Sequence, residues 1–159
     1  MSEENKDIAI DIIEKNDEYK EWLHYAQMDL DSAKYLNGAP MHPKPIHVVC
    51  YHSQQAAEKA AKALIVYYGC QGGGLPKKHD VEFLLRQVKN LLKEDKGLAI
   101  PDDIMVRAAR ISRYGSEIRY PQEIQVEEHD AVKALEDGET ILPWVKECLE
   151  SPRQTIKKE

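Results

Sequence analysis

The stretch SQQAAEKAAKAL, from Ser53 to Leu64, decides the fold. It lies in a run from about Ile46 to Tyr68 in which apolar residues recur at the 3.6-residue period of an α-helix. At about 100° per residue they form one wide strip, made of Val49, Ala56, Ala57, Ala60, Ala61, Ala63, Leu64, Tyr67 and Tyr68. Alanine lets neighbouring helices approach to the short end of the usual interaxial range of about 8–10 Å. The run therefore predicts the central helix of a bundle.

The remaining arc of this helix is polar. Gln54, Glu58 and Lys62 follow one another at a spacing of four, with Gln55 and Lys59 beside them. One interpretation is a solvated face with weak pairs between residues four apart, each worth a few tenths of a kcal/mol. The other is a polar strip, made of Gln54, Gln55, Glu58 and Lys62, that faces a partner chain or a nucleotide. Spacing alone leaves both interpretations open.

Length and composition limit the class of protein. The chain has 159 residues, of which 31% are charged, and a net charge of -6. One domain accommodates this length, and we divide it into an N-terminal extension (1–16), a helical bundle (17–150) and a frayed tail (151–159). No apolar run approaches the roughly 18–20 residues that span a bilayer, and the acidic N-terminus is unlike a secretory signal. We expect a cytoplasmic protein.

Four further helices follow from the same periodicity. The first covers about 17–36, and Asp80 has the position of an N-cap for the third. The fourth begins at Pro101 and should end near Arg119, because Pro121 disfavours helical geometry in the residue before it. The last covers about 127–150, with a kink or a break at Pro143. We predict an all-α protein, an up-and-down four-helix bundle with an additional C-terminal helix that is kinked or broken.

The histidines and cysteines show no spacing that indicates a catalytic or metal-binding site. Six histidines show no spacing typical of a metal site, and Cys50, Cys70 and Cys148 have the pattern of free thiols. We therefore assign no metal, no cofactor and no catalytic residue. A catalytic Cys-His or Ser-His pair remains an open alternative, because its members need not be close in sequence. The acidic charge argues against broad nonspecific binding of nucleic acid, but it allows a local basic patch.

Arginines are concentrated on the fourth helix. Arg107, Arg110 and Arg113 share one arc of it, and Arg119 lies at its exit. Guanidinium groups bind phosphate through two parallel hydrogen bonds, and tyrosine rings stack on bases. The candidate nucleotide- or RNA-binding residues are therefore Arg110, Arg113, Tyr114, Arg119 and Tyr120. The alternative is a set of surface arginines paired with acids, such as Glu117 four residues after Arg113.

Four pieces of the sequence, in this order, resemble a HEPN domain (higher eukaryotes and prokaryotes nucleotide-binding). They are Trp22 with residues 26–33 (AQMDLDSA), residues 54–64 (QQAAEKAAKAL), His79-Asp80 with Leu84-Leu85, and Arg113-Tyr114 with Arg119-Tyr120-Pro121. The resemblance covers about residues 17–150. It implies an all-α bundle that is usually a homodimer. HEPN proteins are often encoded beside a minimal nucleotidyltransferase partner, and many are metal-independent ribonucleases of toxin-antitoxin and other defence systems.

The sequence departs from the ribonuclease pattern of the family, in which an arginine and a histidine are separated by four to six residues. After Arg113 the corresponding positions hold Ile118, Arg119 and Tyr120. Without that imidazole the usual general acid and base is missing. The resemblance thus implies a noncatalytic nucleotide- or RNA-binding module, or the partner of a nucleotidyltransferase, with Arg113 and Arg119 as anion contacts. His79 matches the family's helix-opening histidine, which we interpret as a cap or packing residue.

Two alternatives remain. One is a HEPN ribonuclease toxin with an atypical active site, and the other is a dimeric scaffold without a nucleotide function. We expect a homodimer in each case, and no association with a membrane.

Overall fold

The computed structural model describes residues 3–69, 74–91, 99–115 and 125–150, with side chains from Asp17 onward. These residues form five α-helices and one 3₁₀ turn, and no strand occurs among them. The α-helices are α1 (Glu3–Gly38), α2 (Ile46–Tyr68), α3 (Val81–Leu91), α4 (Asp102–Ile111) and α5 (Glu128–Glu150), and the 3₁₀ turn is Ser112–Tyr114. The all-α prediction is confirmed. Because α1 begins at Glu3, residues 3–16 continue the first helix.

The alanine-rich helix α2 is central, as predicted. It contacts α1, α3, α4 and α5. Its apolar strip is fully buried at Val49, Ala56, Ala57, Ala60, Ala61, Ala63 and Leu64, and the strip ends in the half-buried Tyr67 and Tyr68. The helix ends at Gly69, whose positive φ of 89° suits a residue without a Cβ. The alanines thus let four helices surround a fifth.

One close approach shows how tight this packing is. A Cβ added at Gly138 of α5 would lie 3.3 Å from the Leu30 side chain of α1 and 3.3 Å from the backbone oxygen of Ser53 in α2. Glycine is therefore used where three helices meet.

The fourth helix is shorter than predicted. The α-helical part of α4 ends at Ile111, and a 3₁₀ turn follows, so the prediction of a helix reaching Arg119 is wrong. The Ser112 hydroxyl contributes to this ending, because it donates to the backbone oxygen of Ala108 at 2.5 Å and accepts from the backbone N–H of Val81 at 2.9 Å. The end of α4 is thereby tied to the start of α3. Residues 116–124, including Arg119 and Tyr120, lie outside the described residues.

Two other helix ends test the sequence patterns. Asp80 is an N-cap as predicted, since its side chain accepts from the backbone N–H of Phe83 at 3.0 Å. Pro143, in contrast, does not divide the last helix, because α5 is continuous around it. Its neighbours Leu142 and Val145 are fully buried, and their packing offsets the backbone hydrogen bond that proline cannot donate.

None of the described helices is both long enough and apolar enough to cross a membrane.

Replacing Ala60 by leucine tests the close packing around α2. Ala60 is fully buried, so the added atoms must push neighbouring helices apart, and we expect a loss of about 1–3 kcal/mol in the free energy of unfolding. Urea denaturation followed by circular dichroism measures it. The control is Ala109→Leu on the exposed side of α4, which should change stability by no more than about 0.5 kcal/mol. Equal stability of the two variants would contradict the packing described.

Candidate functional site

Arg110, a predicted anion-binding residue, and its neighbour Arg107 both bind a buried carboxylate of the protein itself. Asp137 of α5 is fully buried. Arg110 donates to it from Nε at 2.8 Å and from Nη2 at 2.6 Å, and Arg107 donates from Nη1 at 3.0 Å. Arg107 also contacts Asp103 at 2.9 Å. The structure therefore gives Arg110 a role in joining α4 to α5, in contrast to its prediction as a ligand contact.

Asp137 is a residue that the sequence analysis missed. It lies three residues after Ala134 and four before Ile141, so it shares their core-facing arc of α5. An acid on the buried arc of a helix requires a cationic partner, and that position was the signal available in the sequence.

Arg113 differs from its two neighbours on α4. Its side chain is exposed and its guanidinium carbon lies 5.5 Å from the centre of the Tyr114 ring. Within the described ranges it forms no ion pair. A guanidinium placed in this way keeps its hydrogen-bond donors for an external anion.

Tyr114 is not the stacking surface that we predicted. It is only 2% exposed, and its hydroxyl donates to the Asp130 carboxylate at 3.1 Å. Burial and the nearby Asp130 charge hold the pKa of the phenol well above its ordinary value, so the hydroxyl remains a donor. Of the candidates on this segment, Arg113 alone is exposed among the described residues.

The polar arc of α2 is not a solvated face. Gln54 is fully buried and Glu58 is 3% exposed. The Glu58 carboxylate accepts hydrogen bonds from Lys62 at 2.7 Å and from Gln54 and Gln55 at 3.1 Å each. We call Gln54, Gln55, Glu58, Lys62 and His79 the Glu58 cluster. All four residues of the predicted polar strip belong to it.

His79 completes the cluster from the segment that precedes α3. Its Nδ1 lies 3.1 Å from Glu58 Oε1, and its backbone oxygen accepts from Gln54 Nε2 at 2.7 Å. We predicted His79 to be a cap or a packing residue; the cap is Asp80, whereas His79 lies against Gly115. Its side chain is 49% exposed, whereas that of Glu58 is 4% exposed. The imidazole therefore connects a buried carboxylate to the surface.

The Glu58 cluster lies against the exit of α4. A Cβ added at Gly115 would be 3.2 Å from Gln54 Nε2 and 3.4 Å from both the Cβ and the backbone oxygen of His79. Gly115 is two residues after Arg113. Lys62 also reaches α1, where its Nζ is 5.7 Å from the centre of the Trp22 ring. The structure thus brings together Trp22, the polar strip of α2 and His79, three of the resembling pieces, beside Gly115.

Two opposing effects set the pKa of the Glu58 carboxyl. Burial by itself would raise it, but hydrogen bonds from Lys62 and Gln54 and the positive charges of Lys62 and His79 outweigh burial. The pKa is left below its ordinary value, so Glu58 is ionised at neutral pH.

The described residues give little support for a reactive thiol or a metal site in this region. Cys50 is fully buried, and burial, with the charge of Asp130, raises the pKa of its thiol to about 12. Because the thiolate is the nucleophile, Cys50 is a poor candidate for covalent catalysis. Across the described residues, no three His, Cys, Asp or Glu side chains are grouped so as to hold a metal ion.

A double variant tests the role of Asp137. Replacing Arg107 and Arg110 together by alanine leaves the buried carboxylate without a cation, and we expect a loss of about 3–5 kcal/mol in the free energy of unfolding. Either single variant leaves one partner, so the double loss should exceed the sum of the single losses. Urea denaturation measures all three. The control is Arg86→Ala, which removes an exposed pair with Glu82 in α3, and additive losses would contradict the shared partner.

The depressed pKa of Glu58 predicts a pH-dependent contribution to stability. A carboxyl with a lowered pKa in the folded state stabilises the protein above its ordinary pKa, and this contribution is lost as pH falls through the folded-state value. The stability difference between the wild type and Glu58→Gln should therefore shrink on acidification from about pH 7 to about pH 3. Urea denaturation at each pH measures it. The control Glu82→Gln removes a more exposed carboxylate, and an equally steep profile for both variants would contradict the assignment.

Comparisons with known proteins agree with this architecture. The family model described as HEPN domain matches residues 19–148. Among solved structures, TT1696 from Thermus thermophilus is 25% identical, with a TM-score of 0.66 over 84% of this chain and 98% of that chain. ST0689, described as an archaeal HEPN homologue, is 26% identical, with a TM-score of 0.60 over 83% and 98%. A search of curated proteins found no match. Since the family model covers most of its length, the chain belongs to the HEPN domain family.

Proposed function

We propose that this HEPN protein is a noncatalytic module that binds the phosphates of a nucleotide or RNA at the exit of α4. The observation that supports the proposal is the exposed guanidinium of Arg113, which has no ion-pair partner among the described residues. Arg107 and Arg110, on the preceding helix α4, are held by Asp137. No described acid forms an ion pair with Arg113, although the Asp130 carboxylate is near enough to interact with its charge.

The guanidinium of Arg113 and a ligand phosphate are chemically complementary. The planar guanidinium remains charged at every physiological pH and donates two parallel hydrogen bonds to phosphate oxygens. The hydrogen bonds of Arg107 and Arg110 with Asp137 fix α4 against α5, and Arg113 lies on the 3₁₀ turn that directly follows α4. Arg119 and Tyr120 belong to the proposal through the family resemblance, as further contacts to the phosphate and the base.

The absence of catalysis rests on the sequence, because Ile118, Arg119 and Tyr120 occupy the positions where the family's ribonucleases have histidine. A homodimer and a separately encoded nucleotidyltransferase partner also form part of the proposal, and both rest on the family resemblance. A small nucleotidyltransferase encoded by the neighbouring gene would support that partner.

Replacing Arg113 by alanine tests the proposed contact. Charge-assisted hydrogen bonds are worth about 1.5–3 kcal/mol, so we expect the affinity for ATP or for a short single-stranded RNA to fall by roughly tenfold or more. Fluorescence anisotropy with labelled ligands measures it. The matched control is Arg86→Ala, an exposed arginine on α3 that should leave the affinity unchanged.

Two outcomes would count against the proposal. Unchanged affinity of the Arg113→Ala protein for both ligands would remove Arg113 from the site. Cleavage of RNA by the wild type without metal, abolished in Arg113→Ala, would favour the ribonuclease alternative.

A further inference from the structure

We propose that a cavity beside the connection between α1 and α2 binds a small aliphatic zwitterion, a molecule that carries a carboxylate and an ammonium on an apolar body. Free amino acids and dipeptides share this chemistry. The inference goes beyond the phosphate site at the exit of α4 and does not depend on it.

The cavity lies where three parts of the chain meet. Its volume is about 450 Å³, within the range of roughly 300–1,000 Å³ that is typical of small-molecule sites. It is bordered by the end of α1, the segment 39–45 and the first turns of α2 and α5. The lining side chains that carry the argument are Asn37, Met41, Lys44, Ile46 and Glu128.

A buried oxygen without a partner marks one wall of the cavity. Oδ1 of Asn37 is buried and has no hydrogen-bond partner among the described residues. Such an acceptor is destabilising, and it is rare in native proteins. The last torsion of an asparagine side chain is soft, so a rotation can turn Oδ1 toward the cavity that Asn37 lines. An N–H group of a ligand then supplies the missing donor.

Two opposite charges border the cavity without pairing. Lys44 is half-buried and Glu128 is exposed, and within the part of the chain that the structure describes neither forms an ion pair. They therefore do not neutralise each other by direct contact. A ligand carboxylate at Lys44 and a ligand ammonium at Glu128 form charge-assisted hydrogen bonds with both side chains.

A zwitterion suits this pair better than a ligand with a single charge. Lys44 attracts a phosphate or a simple carboxylate, but Glu128 repels it, and a simple amine meets the reverse situation. An ammonium has three N–H donors, so one is available for Glu128 and another for Asn37 Oδ1. The two acceptors thus favour the positive end of the ligand, and Lys44 favours its negative end.

The apolar lining accounts for the body of the ligand. Ile46 is partly buried and packs against the hydrophobic core, so its side chain is a fixed wall. Met41 is 48% exposed, and the flexible side chain of methionine adapts to the shape of an apolar partner. Covering Met41 removes apolar surface from water, which favours binding. The aliphatic side chain of leucine meets both requirements.

Calorimetric titration of the full chain with L-leucine, and separately with L-leucyl-L-leucine, tests the site. We expect saturable binding, and the probe with the higher affinity identifies a free amino acid or a dipeptide as the source of the zwitterion. N-acetyl-L-leucine lacks the ammonium and L-leucinamide lacks the carboxylate. Each should bind roughly tenfold more weakly than L-leucine, because each loses one charge-assisted interaction.

Two variants remove the charges of the cavity and keep most of the side-chain volume. Lys44→Met and Glu128→Gln should each weaken the binding of the better probe by roughly tenfold. The matched controls are Lys133→Met and Glu136→Gln, which change an exposed pair further along α5. Neither control residue lines the cavity, so both controls should leave the affinity unchanged.

Asn37→Leu separates a binding role from a structural one. Leucine has a similar size and needs no hydrogen bond, so without ligand the variant should unfold at the same temperature as the wild type or a higher one. It should nevertheless bind the better probe several-fold more weakly. A lower unfolding temperature together with unchanged affinity would assign Asn37 to the fold and contradict its part in the site.

Three results would overturn the inference. They are the absence of saturable heat with both probes at millimolar concentration, unchanged affinity in both charge variants, and equal affinity for L-leucine and N-acetyl-L-leucine. Circular dichroism shows whether each variant is folded. If a variant is not, the comparison of L-leucine with its two analogues on the wild type decides.

Discussion

The contact of α2 with four other helices is the constraint on which the rest of the structure depends. Its alanines allow α1, α3, α4 and α5 all to approach it. The same approach removes water from its polar side, so that Gln54 and Glu58 are buried together with the alanines. A buried carboxylate without donors is strongly unfavourable. The helix therefore needs hydrogen-bond partners for Glu58, and it finds them in its own glutamines and lysine and in His79.

Two buried acids, Asp137 and Glu58, receive their hydrogen bonds in different ways. Asp137 receives hydrogen bonds from Arg107 and Arg110, whose main effect is to join α4 to α5. Glu58 receives one of its hydrogen bonds from an imidazole that is half exposed. Buried ion pairs give little net stability compared with apolar packing. The Asp137 pair therefore orients α4, whereas the Glu58 pair presents a positioned imidazole to solvent.

The helix ends that depend on local residue patterns were predicted correctly from the sequence. The limits of α2 follow from the periodic alanines and from Gly69, and the start of α3 follows from Asp80, because such signals act within one turn of the chain. The early end of α4 does not follow from local signals, since Ser112 bonds to Val81 across the fold. Arg110 was predicted as a ligand contact because its partner Asp137 is 27 residues away, and the spacing of the arginines does not show that pairing. His79 shows the same limit for the candidate site, because its partner Glu58 is 21 residues away and no periodicity connects the two.

The position of His79 is relevant to whether the candidate site binds RNA or cleaves it. Cleavage of RNA at a ribose hydroxyl requires removal of one proton and delivery of another to the leaving oxygen, and two positioned groups usually share the task. Two described imidazoles lie at the α4 exit: His79 lies against Gly115, and His129 is 3.7 Å from the Asp130 carboxylate that Tyr114 contacts. Arginine cannot act as the second group, because it does not lose its proton at accessible pH. The basis for proposing a noncatalytic role is therefore the sequence departure at Ile118, Arg119 and Tyr120, where the family's ribonucleases have histidine.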